Sequence, residues 1–222
     1  MKKLIVNIVV IFTFGTMVIQ NVRAQGTITY LSNLGQTSTG SLAVGSDSWV
    51  GAVFFTGGNA GGYALNSIQL AMTGTSGSPS GFTVTLYSNV GVAGPLPGSS
   101  LGSLSGSASP TTAGTYTYTA PADLALSANT PYIIVLGEAT TVANGAYAWS
   151  IENSSSSGSG GWSEENIVLN SNNGGSTWNY SDQGIPQFAL NATPAPEPSA
   201  GWLALMGGGV FFAWRRWHIK RC

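Results

Sequence analysis

The sequence predicts an all-β chain: an antiparallel β-sandwich or jelly-roll-like domain, flanked by an N-terminal signal peptide and a C-terminal hydrophobic helix. Three observations carry this expectation. Between Gln25 and Thr193 the apolar residues come in short runs separated by Gly, Ser, Asn, Thr and Pro. The clearest run, Phe82-Thr83-Val84-Thr85-Leu86-Tyr87, alternates strictly, with Phe82, Val84 and Leu86 on one face and Thr83, Thr85 and Tyr87 on the other. No window of about a dozen residues carries an apolar stripe at helical spacing.

Taken in order, the candidate strands begin with Thr27–Leu31 and Trp49–Phe55. Leu65–Met72 follows, with Ile68, Leu70 and Met72 on one side, and then Phe82–Tyr87. Thr115–Thr119 alternates Thr with Tyr, both favoured in strands. Pro131–Leu136 is an unbroken apolar run, as expected of a strand buried on both faces. Ala146–Ile151, Ile167–Leu169 and Gln187–Asn191 complete the set. The Gly-rich stretches at 57–62, 74–79 and 144–145 supply positive-φ positions or turn bonds, as antiparallel connections require. Ser88–Ser109 and Asn153–Gly161 read as long loops, and no internal repeat suggests a solenoid.

Charge is scarce and segregated. Only 7% of the 222 residues are charged, against about 25% in an ordinary soluble domain. Lys2, Lys3, Arg23, Arg215, Arg216, Lys220 and Arg221 are all terminal, and residues 25–193 contain no Lys, Arg, His or Cys. That span carries seven acids: Asp47, Asp123, Glu138, Glu152, Glu164, Glu165 and Asp182. A cation-free domain cannot neutralise phosphates, which argues against nucleic-acid binding. It also lacks Cys or His nucleophiles and bases, Lys Schiff bases, zinc ligands and disulfides. Without cationic partners each acid must be solvated, bonded to N–H or hydroxyl groups, or bound to a metal ion. Surface ion pairs contribute only ~0–1 kcal/mol each, so their loss costs little and core burial must supply the stability.

The two ends read as membrane-directed segments. Residues 1–24 have the parts of a secretory signal: Lys2 and Lys3, an apolar run over Leu4–Ile19, and Val22-Arg23-Ala24 before a cut. The run's 16 residues span about 24 Å as a helix, short of a hydrocarbon core of ~30 Å, which favours cleavage over anchoring. The mature chain is expected to begin at Gln25. At the other end Pro194, Pro196 and Pro198 form a stiff lead-in, Ser199–Trp214 is uncharged and mostly apolar, and Arg215-Arg216 follow as a stop. Trp202, Trp214 and Trp217 suit the two membrane interfaces, and positive charge behind the span places the C-terminus on the cytoplasmic side. Gly207-Gly208-Gly209 weakens the helix and points to a transient span. The lone His218 and Cys222 fall in this tail and read as incidental.

Pro196-Glu197-Pro198-Ser199, the apolar stretch and the terminal Arg cluster resemble the PEP-CTERM sorting signal of Gram-negative bacteria. The resemblance covers residues 194–222 and implies processing by an exosortase during export to the cell surface or the extracellular matrix. The tail continues past the arginines as Trp217-His218-Ile219-Lys220-Arg221-Cys222, longer than a bare Arg cluster. Within the domain, Ser46-Asp47-Ser48-Trp49, residues 61–68, residues 80–88 and Gly145-Ala146-Tyr147-Ala148-Trp149 resemble the choice-of-anchor domains, the R type above all, over roughly residues 30–182. That resemblance implies an extracellular β domain and brings no catalytic residues.

Residues 25–193 are therefore expected to form an exported, non-enzymatic structural or adhesive domain with no cofactor. Trp162, Trp178 and Tyr180, in a polar stretch with Glu164, Glu165 and Asp182, are the candidate carbohydrate contacts, and exopolysaccharide is the candidate ligand. The competing reading has these aromatics sealing the ends of the sandwich. Glu164-Glu165 with Asp182, Glu152 or Asp123 could be a glycosidase's carboxylate pair, a less favoured reading because adjacent acids in a strand face opposite ways. Hard oxygen ligands would suit calcium, yet no Asp-x-Asp-x-Asp-Gly loop occurs and spacing alone names no ligands. Asn153-Ser154-Ser155, Asn179-Tyr180-Ser181 and Asn191-Ala192-Thr193 fit the glycosylation triplet, with chance as the default.

Overall fold

A computed structural model describes residues 26–197 except 92, 93, 123, 155 and 157. The signal peptide expected at 1–24, Pro198, the apolar segment 199–214, and Arg215 and Arg216 lie outside the described residues, as does Asp123.

The described chain is built of strands joined by turns, with a single 3-10 turn at Ser159–Gly161. The strands are β1 (Ile28–Ser32), β2 (Gly40–Val44), β3 (Trp49–Phe55), β4 (Tyr63–Gly77), β5 (Thr83–Asn89), β6 (Pro97–Leu104) and β7 (Gly114–Thr119). They continue as β8 (Ala125–Leu126), β9 (Pro131–Gly137), β10 (Gly145–Glu152), β11 (Ser163–Ser171), β12 (Asn179–Ser181), β13 (Ile185–Pro186) and β14 (Phe188–Pro194). They form two antiparallel sheets. The eight-stranded sheet runs β1-β14-β4-β10-β13, with β2 beside β10 and with β7 and β8 beside β4. The six-stranded sheet runs β12-β11-β3-β9-β5-β6. Ser105 and Thr119 exchange two main-chain hydrogen bonds of 2.8 Å each, joining the chain just after β6 to the end of β7 in the other sheet.

The alternation read in the sequence places the core between the sheets. Ile68, Leu70 and Met72 of β4, Tyr147 and Trp149 of β10, and Phe188 and Leu190 of β14 are buried on one side. Val50, Ala52 and Phe54 of β3, Val84 and Leu86 of β5, and Tyr132, Ile134 and Leu136 of β9 belong to the same core from the six-stranded sheet. Each large side chain fully buried contributes about 1.5–3 kcal/mol, which is how a domain free of cations can hold together. A register shift opposite Ser67/Leu65 changes the parity of β4, so Tyr63 and Leu65 also turn inward.

The unbroken run Pro131–Leu136 is a strand buried on both faces, as expected. Ile133 and Val135 leave the main core and form a second cluster with Val53 and Leu169, on the outer face of the six-stranded sheet. Trp49, Phe55, Tyr87, Ile167 and Trp178 pack around it, half-buried. The ring of Trp49 lies so close over Gly137 that a Cβ there would stand 2.9 Å from Cε2.

Four corrections to the expected elements have physical causes. The segment Ser88–Ser109, expected as loop, contains β6, whose Pro-Gly-Ser-Ser-Leu-Gly-Ser-Leu sequence has no β-branched or aromatic residue. Its pairing with β5 makes it a strand. The turn expected at 74–79 begins later, because β4 runs to Gly77, whose φ of 58° lets the chain turn there. β11 spans nine residues where three were expected, since its polar half is drawn in by pairing with β3. The short strands β8, β12 and β13 have too few residues to carry a pattern, and β2, whose Leu42 and Val44 alternate into the core, is placed by its pairing with β10.

Candidate functional site

The three candidate sugar-binding aromatics are separated by the fold. Trp162 does not reach solvent: it is 1% exposed in the main core. Tyr30 stacks on it at 5.0 Å and Phe54 at 5.9 Å, while Tyr63 meets it edge-on at 4.9 Å. Such packing fixes the ring in the core between the sheets, away from any ligand at the surface.

Trp178 and Tyr180 remain at the surface. Residues directly opposite in an antiparallel ladder share a face. Tyr180 pairs with Leu169, Leu169 with Gly51, Gly51 with Val135 and Val135 with Thr85, so Tyr180 projects from the outer face of the six-stranded sheet. It is 64% exposed, and Gly94 lies against its ring, where a Cβ would be 3.6 Å from Cε1. Trp178 packs on the outer cluster and donates its Nε1–H to the Gly175 carbonyl at 3.0 Å. A half-buried indole anchored by its N–H just before β12, and an exposed phenol within that strand, present two aromatic surfaces on the outer face of the sheet.

The acids divide likewise. Glu152 of β10 and Glu164 of β11 come from different sheets and meet at Asn33, which follows β1. Asn33 Nδ2 donates to Glu164 Oε2 at 3.1 Å, to the Pro186 carbonyl at 3.0 Å and, weakly, to Glu152 Oε1 at 3.5 Å. Its Oδ1 accepts the Phe188 N–H at 2.7 Å. The second oxygens are also engaged: Glu152 Oε2 accepts from Ser154 N–H, and Glu164 Oε1 accepts from Ser156 N–H at 2.7 Å. Gln187, bonded through Nε2 to the Asn33 and Gln36 carbonyls and through Oε1 to Ser150 Oγ, extends the network. Burial pushes the Glu164 carboxyl up to about 7; the Ser156 N–H opposes the rise and the Glu152 charge adds to it. At 1% and 9% exposure, Glu152 and Glu164 staple the sheets from inside and do not face a cleft. Glu165 is half-buried and Asp182 exposed.

Glu138 is the acid whose surroundings spacing could not foretell. It is 7% exposed, and neither of its carboxylate oxygens meets a donor among the described residues. The only signal in the sequence was its place at the end of the apolar run of β9.

At the far end of the domain, β14 runs to Pro194 and the Ala195 N–H bonds to the Gly62 carbonyl at 2.9 Å. Pro196 and Glu197 follow at once and are exposed. Among the described residues no helix is long and apolar enough to cross a membrane. Nor do three or more His, Cys, Asp or Glu there gather into a group that could hold a metal. No family model, no curated protein and no solved structure matches this chain.

Proposed function

We propose that this is an exported protein, processed by an exosortase at its Pro196-Glu197-Pro198 tail, whose β-sandwich is a non-enzymatic structural or adhesive unit of the cell surface or extracellular matrix. The observation that carries this reading is the grammar of the two ends around a cation-free domain: a signal peptide before Gln25, and a Pro-Glu-Pro motif, apolar run and basic stop after Thr193. The fold supports it in one respect. The last strand ends at Pro194, so the motif begins just after the paired backbone, at residues exposed to a processing enzyme. The tail holds the chain in the membrane until it is cut. The burial of Glu152 and Glu164 in a hydrogen-bonded staple also weighs against a glycosidase, which needs its carboxylates open to substrate. The test follows a tagged protein in cells with and without the sorting peptidase. Loss of the tail only where the peptidase is present supports the proposal, and an uncut tail with unchanged localisation in both strains refutes it.

A second reading, carbohydrate binding, rests on Trp178 and Tyr180 sharing a solvent-facing sheet surface, with an exopolysaccharide as ligand. A glycan array probed with the wild type and with Trp178→Ala and Tyr180→Ala variants separates it from a passive role. Binding lost in both variants supports it, and binding to no glycan, the host's own polymer included, removes it.

A further inference from the structure

The end of the domain at which β14 stops is tied to a single turn. The Ala195 N–H donates to the Gly62 carbonyl at 2.9 Å, and the Ala195 carbonyl accepts from Asn59 Nδ2 at 2.9 Å. Asn59 is itself held in the β3–β4 connection. Its main-chain N–H donates to the Tyr63 hydroxyl at 3.2 Å, and its carbonyl accepts the Gly62 N–H at 2.8 Å. Ala195 therefore belongs to the folded body, and only Pro196, Glu197 and Pro198 separate it from the apolar run that starts at Ser199.

That spacing limits where the body can stand. Four Cα steps reach at most about 14 Å, and the prolines keep the spacer stiff. The headgroup layer on each side of a bilayer is roughly 5–8 Å thick. With residues 199–214 in the hydrocarbon core, Ala195 is held no more than about 10 Å beyond the headgroups.

The chemistry of this end suits contact with lipid. Phe55 pairs with Pro131 and Ser163, Tyr63 with Leu126 and Pro194, and Ser88 with Tyr132, which gathers the connections 56–62, 90–96, 127–130 and 153–162 at one end of the sandwich. Three of them touch: the Asn129 N–H donates to the Gly57 carbonyl at 2.9 Å, and Gly57 lies so near the Gly160 carbonyl that no Cβ would fit between them. None of the four contains a charged residue, and the neighbouring connection 120–124 contains one, Asp123. Asp47 and Glu138 stand at the opposite end, beside the starts of β3 and β10, where anionic headgroups would not meet them. Among the described residues five large hydrophobic side chains are exposed, and three of them, Ile28, Val90 and Leu96, belong to the tail-bearing end. Ile28 opens β1 and pairs with Ala192 near the finish of β14. Val90 and Leu96 close the β5–β6 turn, with the Val90 N–H on the Leu96 carbonyl at 3.0 Å. Apolar side chains left in water here gain by entering the headgroup–acyl boundary.

We propose that this loop end is a lipid-contacting surface: while the tail spans the membrane, the sandwich stands on the bilayer with Ile28, Val90 and Leu96 in the headgroup layer. The inference rests on the reading of residues 199–214 as a membrane span.

The experiment takes the protein from cells lacking the sorting peptidase, so that it keeps its tail. Cys222→Ser removes the lone cysteine, and one new cysteine is placed by Ile28→Cys, by Val90→Cys or, at the exposed opposite end, by Ala143→Cys. Each carries a polarity-sensitive fluorophore, and the protein is reconstituted in vesicles of phosphatidylethanolamine and phosphatidylglycerol with a headgroup-doxyl lipid as quencher. Flotation of the vesicles reports separately whether the tail inserts. The expected result is protein that floats, with labels at 28 and 90 shifted to the blue and quenched and the label at 143 neither. In the Val90→Cys protein, Ile28→Ser together with Leu96→Ser weakens the quenching and leaves flotation intact. Floating protein whose labels at 28 and 90 are quenched no more than the label at 143, or whose quenching ignores the paired serine variant, overturns this inference and leaves the membrane-span reading standing. Protein that does not float overturns both.

Discussion

Replacing Glu164 by Gln tests the idea that the staple between the two sheets includes a carboxyl the fold would rather keep neutral. Burial raises the Glu164 carboxyl from 4.5 to about 7. The folded state therefore holds a proton that the unfolded chain has released between those two values, and stability falls as pH rises through that window and levels off above it. A shift of this size corresponds to about 3 kcal/mol lost between pH 4.5 and pH 8. Gln carries no charge and keeps an acceptor for the Ser156 N–H, but its amide cannot accept from Asn33, a loss of about 1 kcal/mol. The Glu164→Gln variant is accordingly expected to be about 2 kcal/mol more stable than wild type at pH 8 and about 1 kcal/mol less stable at pH 5. Urea unfolding followed by tryptophan fluorescence at pH 5, 6, 7 and 8 measures the difference, in which steps from other groups cancel. A variant that is less stable at pH 8, or a difference that does not change with pH, would refute the reasoning.

The remaining expectations follow the same geometry. Asn33→Asp removes the donor shared by Glu152 and Glu164 and adds a third carboxylate, so a loss of about 3–5 kcal/mol is expected in the same unfolding assay at pH 7. Trp162→Ala empties the space between Tyr30, Phe54 and Tyr63 and is expected to cost about 3–5 kcal/mol, read as a lowered thermal midpoint. Tyr180→Ala, at the exposed edge, is expected to change stability by no more than about 0.5 kcal/mol, so that any change it causes on a glycan array reports contact with ligand.

Much of the fold was written in local patterns. The strict alternation at 82–87 and the unbroken run at 131–136 became β5 and β9, neighbours in the six-stranded sheet, because side-chain period and burial are properties of the strand itself. What pattern could not supply was pairing. The sequence of β6 is a strand only beside β5, and the register shift in β4 that turns Tyr63 inward depends on β14. The candidate site shows the same division. Composition identified an aromatic and acidic stretch at 162–182, but whether Trp162 faces solvent or core depends on Tyr30 and Phe54, residues more than a hundred positions away. Glu152 and Glu164 meet through Asn33, another long-range contact, and no spacing rule connects those three. Without ion pairs, each acid is expected to be solvated, bonded to N–H or hydroxyl groups, or bound to a metal ion. Glu152, Glu164 and Asp47 do take main-chain N–H groups, while Glu138 takes none among the described residues.

The most direct test of the central proposal is the mass of the protein recovered from its native cells, with and without the sorting peptidase. The account expects a surface or matrix species lacking both the first 24 residues and the apolar tail, and a membrane-held form that keeps the tail when the peptidase is absent. An intact 222-residue chain, dissolved in the cytosol of both strains, would contradict it.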